Sequence, residues 1–245
     1  RYDIRIRSGV SAKEFENGSI GTVRSDGHGQ DPYVIHELDG NFHRTKITTL
    51  RGDYRKPDGS NANKLRLWDK SDFVPRPDDI FQERLYAIEW MKPKSSGKTF
   101  DYEFRSVTSE DLRRECIVEN FVREHLAEWQ DKGWIPDMRI EREGEPERLY
   151  RERGWTHWHH LFNPRQLLIG GLANRYSDAP LKFSLTQLLN NNCRSSRWRP
   201  HAGGGGGTAG LFDNQALNTL LNYACRGTSY AANLLSGDHK SFTIP

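Results

Sequence analysis

The chain has 245 residues, room for one large domain or two small ones, and 36 basic against 33 acidic side chains give a net charge of only +3. That balance excludes a polycation, so any nucleic-acid surface must come from local segregation of charge. A mean hydropathy of -0.84 and the lack of any apolar run near ~20 residues exclude a membrane-spanning helix, and nothing resembles a signal peptide.

Hydrophobic content is low at 35%, but seven Trp, nine Tyr and eleven Phe each bury a large area. Cys116, Cys193 and Cys225 are odd in number and far apart, which encodes neither a disulfide frame nor a Cys-based zinc site. A reducing, cytoplasmic compartment is expected. The first residue is Arg and the chain opens in mid-strand, so an excised piece of a longer protein is expected.

Tyr2, Ile4 and Ile6 alternate with Asp3, Arg5 and Arg7, as in a half-buried strand. Gly21-Thr22-Val23, Tyr33-Val34-Ile35 and Lys46-Ile47-Thr48-Thr49-Leu50 predict further short strands between Gly, Asp and Asn turns. His28, His36 and His43 fall in the predicted turns and read as exposed loop histidines, without a Cys or a tight pair to make a metal site. Asp31-Pro32-Tyr33 is one Pro short of the catalytic tetrapeptide of amino-methyltransferases, and a turn before a strand explains it better. Residues 1–75 are expected to form a small β-rich subdomain, with a polar loop from Lys56 to Asn63.

Pro75-Arg76-Pro77 is a rigid connector. Tyr86, Ile88 and Trp90, then Phe100, Tyr102 and Phe104, alternate with other residues on either side of a Pro-Ser-Gly turn, which predicts a β-hairpin with an aromatic face packed in the core. Thr108-Ser109-Glu110-Asp111 starts the clearest helix, with Leu112, Ile117, Phe121, Val122, Leu126 and Trp129 as its buried stripe and Gly133 at its end. From Pro136 to Arg153 the charge density predicts an exposed loop.

The chain is organised around residues 153–168, where two Trp, three His and a Phe crowd into Trp155–Phe162 ahead of a helix start. Asn163 suits the N-cap and Pro164 the first helical position, and Leu167, Leu168, Gly171 and Leu172 give a face that must be buried. Three readings compete for this run. It is a packed aromatic cluster with satisfied imidazoles, a surface that stacks on and bonds to bases, or a metal site using His157 and His159 with His160 behind.

A second helix is expected around Leu185–Leu189, followed by Arg194, Arg197 and Arg199 around Trp198 with no acid. That loop suits phosphate contact with one stacked base, or equally a solvated loop with its Trp tucked down. Residues 76–202 are read as a hairpin-plus-helix recognition core. Residues 203–245 are a Gly-hinged segment with a last helix over Leu217, Leu220, Leu221 and Ala224. The fold class expected is α+β, with short antiparallel strands and a hairpin in the N-terminal half and helices in the C-terminal half.

Four strings, Asp79–Ile88, Glu110–Glu115, Gly154–Phe162 and Asn214–Leu220, resemble in order and wording the middle of one family. These are adenine-specific DNA methylases with a zinc-ribbon-type insertion, of anti-phage defence loci of the DISARM kind. The likeness covers about residues 75–230, and residues 1–60 more weakly. It implies that the chain is the target-recognition, DNA-binding segment of an S-adenosylmethionine-dependent adenine N6-methyltransferase. The Gly-rich cofactor motif and the Asp-Pro-Pro-Tyr string of that family do not occur here, so no catalytic, cofactor or metal residues are expected. Where the family places Cys pairs, residues 20–50 have no Cys.

The implied partner is double-stranded DNA, with other defence proteins beside it. The expected DNA contacts are Arg153, Trp155, His157, Trp158, His159, His160, Arg165, Gln166, Arg194, Arg197, Trp198 and Arg199. Arg165 and Gln166 are cast as base readers, and Arg194, Arg197 and Arg199 as phosphate holders. Two other classes compete: a module that docks a methylase onto defence partners with its aromatic strings buried as core, and a His-based metallohydrolase.

Overall fold

The structure, a computed structural model, describes residues 9–11, 13, 23–24, 33–95, 100–177, 182, 185, 189–190, 192–196, 198–199 and 207–208. The expected strand at Tyr2–Arg7, the helix over 217–224, the string Asn214–Leu220 and His28 lie outside the described residues, as does most of the helix around 185–189. Among the described residues, antiparallel strands occupy the N-terminal half and helices mainly the C-terminal half. The chain is α+β.

β1 (Val23–Arg24), β2 (Tyr33–Leu38) and β3 (Asn41–Lys46) form one antiparallel sheet in that order. Asp39 and Gly40, both at positive φ, make the two-residue turn that suits strand twist. His36 and His43 are therefore not in turns but directly opposite each other on the ladder. The expected strand over 46–50 is instead a helical turn, α1 (Ile47–Arg51). Its β-branched residues favour extension, but Gly52 at φ 64 closes the turn by donating to Thr49 O at 3.0 Å. The polar loop beyond it carries a minimal hairpin, β4 (Tyr54–Arg55) with β5 (Asn61–Ala62), turned by Asp58 accepting from Ser60 N.

β6 (Ala87–Pro93) and β7 (Phe100–Ser106) form the expected hairpin, in register from Ala87 opposite Ser106 to Pro93 opposite Phe100. The expected single aromatic face does not form. Trp90 stands opposite Glu103 and Phe104 opposite Glu89, so the aromatic residues of the two strands lie on opposite faces. Trp90 and Phe104 are each about half exposed, with Arg105 5.5 Å from the Trp90 ring.

α2 (Ser109–Asp131) starts with the predicted box: Thr108 Oγ1 accepts from Asp111 N, and Asp111 Oδ2 accepts from Thr108 N. Its stripe is only half as predicted. Val122, Leu126 and Trp129 are buried, whereas Leu112, Ile117 and Phe121 are exposed. The helix of 23 residues, about 34 Å long, packs on a partner of 13 residues, α4 (Pro164–Tyr176), running in the same direction. Glu115 meets Arg165 at the start of α4, and Asn174 bonds to Gly133 and Trp134 at the end of α2. Leu112 thus overhangs the contact. Ile117 and Phe121 sit one position aside from the row that packs inward, Val118 and Val122.

The 32 residues between these helices hold most of the second core. The expected charged loop contains α3 (Glu147–Arg153), whose Leu149, Tyr150 and Arg153 are buried on one side. Gly154 ends it at φ 76. A Cβ there would lie 2.2 Å from Arg66 O, and the Gly154 carbonyl accepts from Trp68 N at 2.8 Å. One cluster joins Phe73, Val122, Leu126, Trp129, Ile135 and Leu167; the other joins Trp68, Ile140, Leu149, Tyr150, Trp155, Leu161 and Cys193. Phe162 packs against both and makes them continuous.

Trp68 and Phe73 anchor a segment without regular structure, 63–84. It is held by Arg66, which bonds bidentately to Asp79 (2.8 and 2.7 Å) and also to Asp72, while Arg76 bonds to Asp72 and Asp69. Burial opposes ionisation of Asp72, yet its bonds to Arg66, Asp69 N and Arg76 hold its pKa below the usual carboxylate value.

Candidate nucleic-acid interface

The aromatic-imidazole run enters the interior at Gly154 and stays there. Thr156 O accepts from Ile140 N and the Tyr150 hydroxyl, residue 157 bridges to Arg139, and Trp158 N donates to Met138 O. Trp158–Leu161 then form one 3-10 turn delivering Asn163 to the N-cap of α4. Trp155, His157, His159 and His160 are buried and Trp158 is half-buried. The expectation that these rings face DNA is corrected for the four buried ones; they lie in the packed interior.

The hydrogen bonds assign the tautomers. His160 Nδ1 accepts from Thr156 N and His157 N, so its Nε2 carries the proton and donates to Asp69 O at 3.0 Å. Thr156 Oγ1 donates to Trp68 O and therefore accepts from His157 Nδ1 at 2.8 Å. Gln130 Nε2 donates to His159 Nδ1, and His159 Nε2 is buried near the carbonyls of Lys70 and Asp72 without an aligned bond to either. Burial, then the neighbouring His157, push the His159 pKa down to about 4; burial, then His159 and His157, push His160 to about 2. The run is neutral imidazole at pH 7. Among the described residues no group of three His, Cys, Asp or Glu is arranged to hold a metal.

Arg194, expected on phosphate, is committed to the interior instead. Its Nε donates to Glu83 Oε1 and its Nη2 to Glu83 Oε2 and to Phe73 O at 2.7 Å. Nη1 donates to His160 O at 2.7 Å and Phe162 O at 2.6 Å. All five guanidinium protons are used, the Trp68 ring lies 5.3 Å away, and the residue is 1% exposed. No edge is left for a phosphate. The sequence loop reads as basic because its acid partner lies 111 residues earlier.

Gln166 is buried and completes the capping box of α4, its Oε1 accepting from Asn163 N at 2.9 Å, so it has no edge for adenine. Arg165 faces Glu115 at 3.0 Å; burial raises the Glu115 pKa against the pull of Arg165. Arg153 is buried, 5.8 Å from the Trp155 ring. Leu172, expected on the buried face, is exposed. Trp198 and Arg199 pair as a short strand, β8, with β9 (Gly207–Thr208), while Arg197 lies outside the described residues.

Two features were not legible in advance. A small cleft of about 40 Å³ opens between Arg66, Trp68, Phe81, Glu83, Arg153 and Trp155. It has room for a water or two, not a base. Beside the run, Lys70, Arg139 and Arg142 are exposed. Lys70 pairs with Asp137 at 2.9 Å, and Arg142 lies 5.1 Å from the Tyr150 ring. After burial, the charges of Arg139 and Lys70 lower the His157 pKa and that of Asp137 raises it, so this rim carries both signs of charge around the run. Glu141, Glu143 and Glu145, also exposed, interleave with these bases in the chain. Compared with protein-family models, curated proteins and solved structures, the chain matches none.

Proposed function

We propose that the chain is the target-recognition segment of an S-adenosylmethionine-dependent DNA adenine N6-methyltransferase of anti-phage defence. It contributes grip and register on DNA. The observation that carries this reading is the order of the four resembling strings, two of which meet in one bond network: Glu83 of the first and His160 and Phe162 of the third are all bound by Arg194. Methyl transfer to an exocyclic adenine nitrogen needs the base out of the stack, at a cost of a few kcal/mol, so such an enzyme must hold the flanking duplex. In this segment that work falls to the exposed rim of Lys70, Arg139 and Arg142 with half-buried Trp158 beside it, and the imidazole run underneath is its support.

Anisotropy titration of a labelled duplex at several salt concentrations tests the reading. Replacing Arg139 and Arg142 with Ala should weaken binding to all duplexes alike and lower the salt slope by about two counterions' worth. Duplex affinity that is undetectable, or that ignores salt, refutes it. One observation favours a second reading: the interior placement of Trp155, His159 and His160 is what a docking module for defence partners would have, its aromatic strings being core. Tight partner binding without DNA affinity would select that one.

A further inference from the structure

At the far end of the α2–α4 pair an arginine lies against two aromatic rings. Asn174 Nδ2 donates to Gly133 O and Trp134 O, both at 3.0 Å, and Trp134 N donates to Trp129 O at 2.8 Å, so the Trp134 backbone is pinned from two sides. Arg175, the next residue of α4, lies 4.6 Å from the Trp134 ring and 5.0 Å from the Tyr176 ring. Lys132 lies 4.8 Å from the Trp134 ring and pairs with Glu128, a carboxyl that Lys132 chiefly, and the Arg175 charge more weakly, holds below its usual pKa. Among the described residues no hydrogen bond or ion pair engages the Arg175 guanidinium. Tyr176 is 72% exposed.

Ring contacts fix a guanidinium's plane but leave its in-plane donors unused, and that fork matches a phosphate's oxygens. An exposed ring next to it offers a face for a planar group. We propose that Trp134, Arg175 and Tyr176 form a platform for one nucleotide of unpaired DNA, Arg175 holding its phosphate and Tyr176 stacking on its base. An acidic peptide would engage Arg175 but leave the Tyr176 ring without a planar partner, which is why DNA is the occupant. The choice of DNA rests on the function proposed above, but the site is separate from the Arg139 rim.

The test uses the whole chain, a labelled single-stranded oligothymidine and a labelled duplex. Tyr176→Ala should weaken single-strand binding roughly tenfold, and Tyr176→Phe should restore it, since stacking needs only the ring. Arg175→Lys should keep part of the affinity, and Arg175→Ala should lower the single-strand salt slope by about 0.7. Neither Tyr176 variant should move the urea midpoint, given its exposure. Unchanged single-strand affinity in Tyr176→Ala overturns the platform even when duplex binding persists. Single-strand binding that depends on Tyr176, with no duplex binding, keeps the platform and removes the rim. Competition by a poly-glutamate peptide as strong as by oligothymidine assigns the site to acidic peptides instead and overturns the proposal.

Discussion

Arg194→Ala is the most informative substitution in this chain. It removes all five donors at once and leaves the Glu83 carboxylate and the carbonyls of Phe73, His160 and Phe162 without their partner. Breaking a fully buried ion pair on one side costs about 3–5 kcal/mol. The Glu83 side chain is 27% exposed, which puts this pair at the low end, about 3, and the lost ring contact with Trp68 adds about 1. The expected loss of about 4 kcal/mol is a large share of the ~5–15 kcal/mol that holds an ordinary domain together. Arg194→Lys keeps the charge but not the fork, and about half the loss is expected. Glu83→Gln added to Arg194→Met removes both charges and should recover part of the stability lost in Arg194→Met alone. Urea unfolding followed by tryptophan fluorescence measures each step. If Arg194→Ala unfolds within about 0.5 kcal/mol of the wild type, with the same m-value and weaker DNA binding, the guanidinium faces a ligand and the structural argument is wrong.

Three further outcomes follow from the interior. Because the folded pKa values of His159 and His160 lie below 6.5, the unfolded chain takes up protons first as the pH falls. Stability is whole above about pH 6.5 and declines between 6.5 and about 4 by about 1.4 kcal/mol per pH unit for each ring; a urea midpoint that is flat over that window contradicts the burial. Gly154→Ala combines positive φ with a Cβ 2.2 Å from Arg66 O, so a loss above about 2 kcal/mol is expected in thermal melts, and under 0.5 would be a refutation. Leu126→Ala should cost about 2–5 kcal/mol and Ile117→Ala less than 1; equal losses in urea would restore the stripe predicted from the sequence.

What the chain's local chemistry determined is plain at its helix starts and its hairpin. Thr108 with Asp111, and Asn163 with Pro164, start their helices as their order predicts, because a cap is closed by atoms three residues apart. That Gln166 closes the second cap rather than reading a base was not foreseen. The alternation over 86–104 became β6 and β7 for the same reason: strand pairing across a short turn is local. Which side of each element is inside was not local. Periodicity marks an apolar stripe on α2 but not how far α4 covers it, so Leu112, Ile117 and Phe121 came out exposed.

The same limit governed the candidate site. Arg194 among Arg197, Trp198 and Arg199 has the composition of a phosphate loop, and Trp155–His160 that of a stacking surface. Composition records which groups want partners, not which partners they find. Tertiary structure supplied Glu83, Phe73 O and Trp68 to Arg194, and Asp69 O and Gln130 to the imidazoles. Once a charge or an imidazole is fully bonded away from water, returning it to a ligand means breaking those bonds, and at that point a residue type suited to binding DNA becomes part of the core.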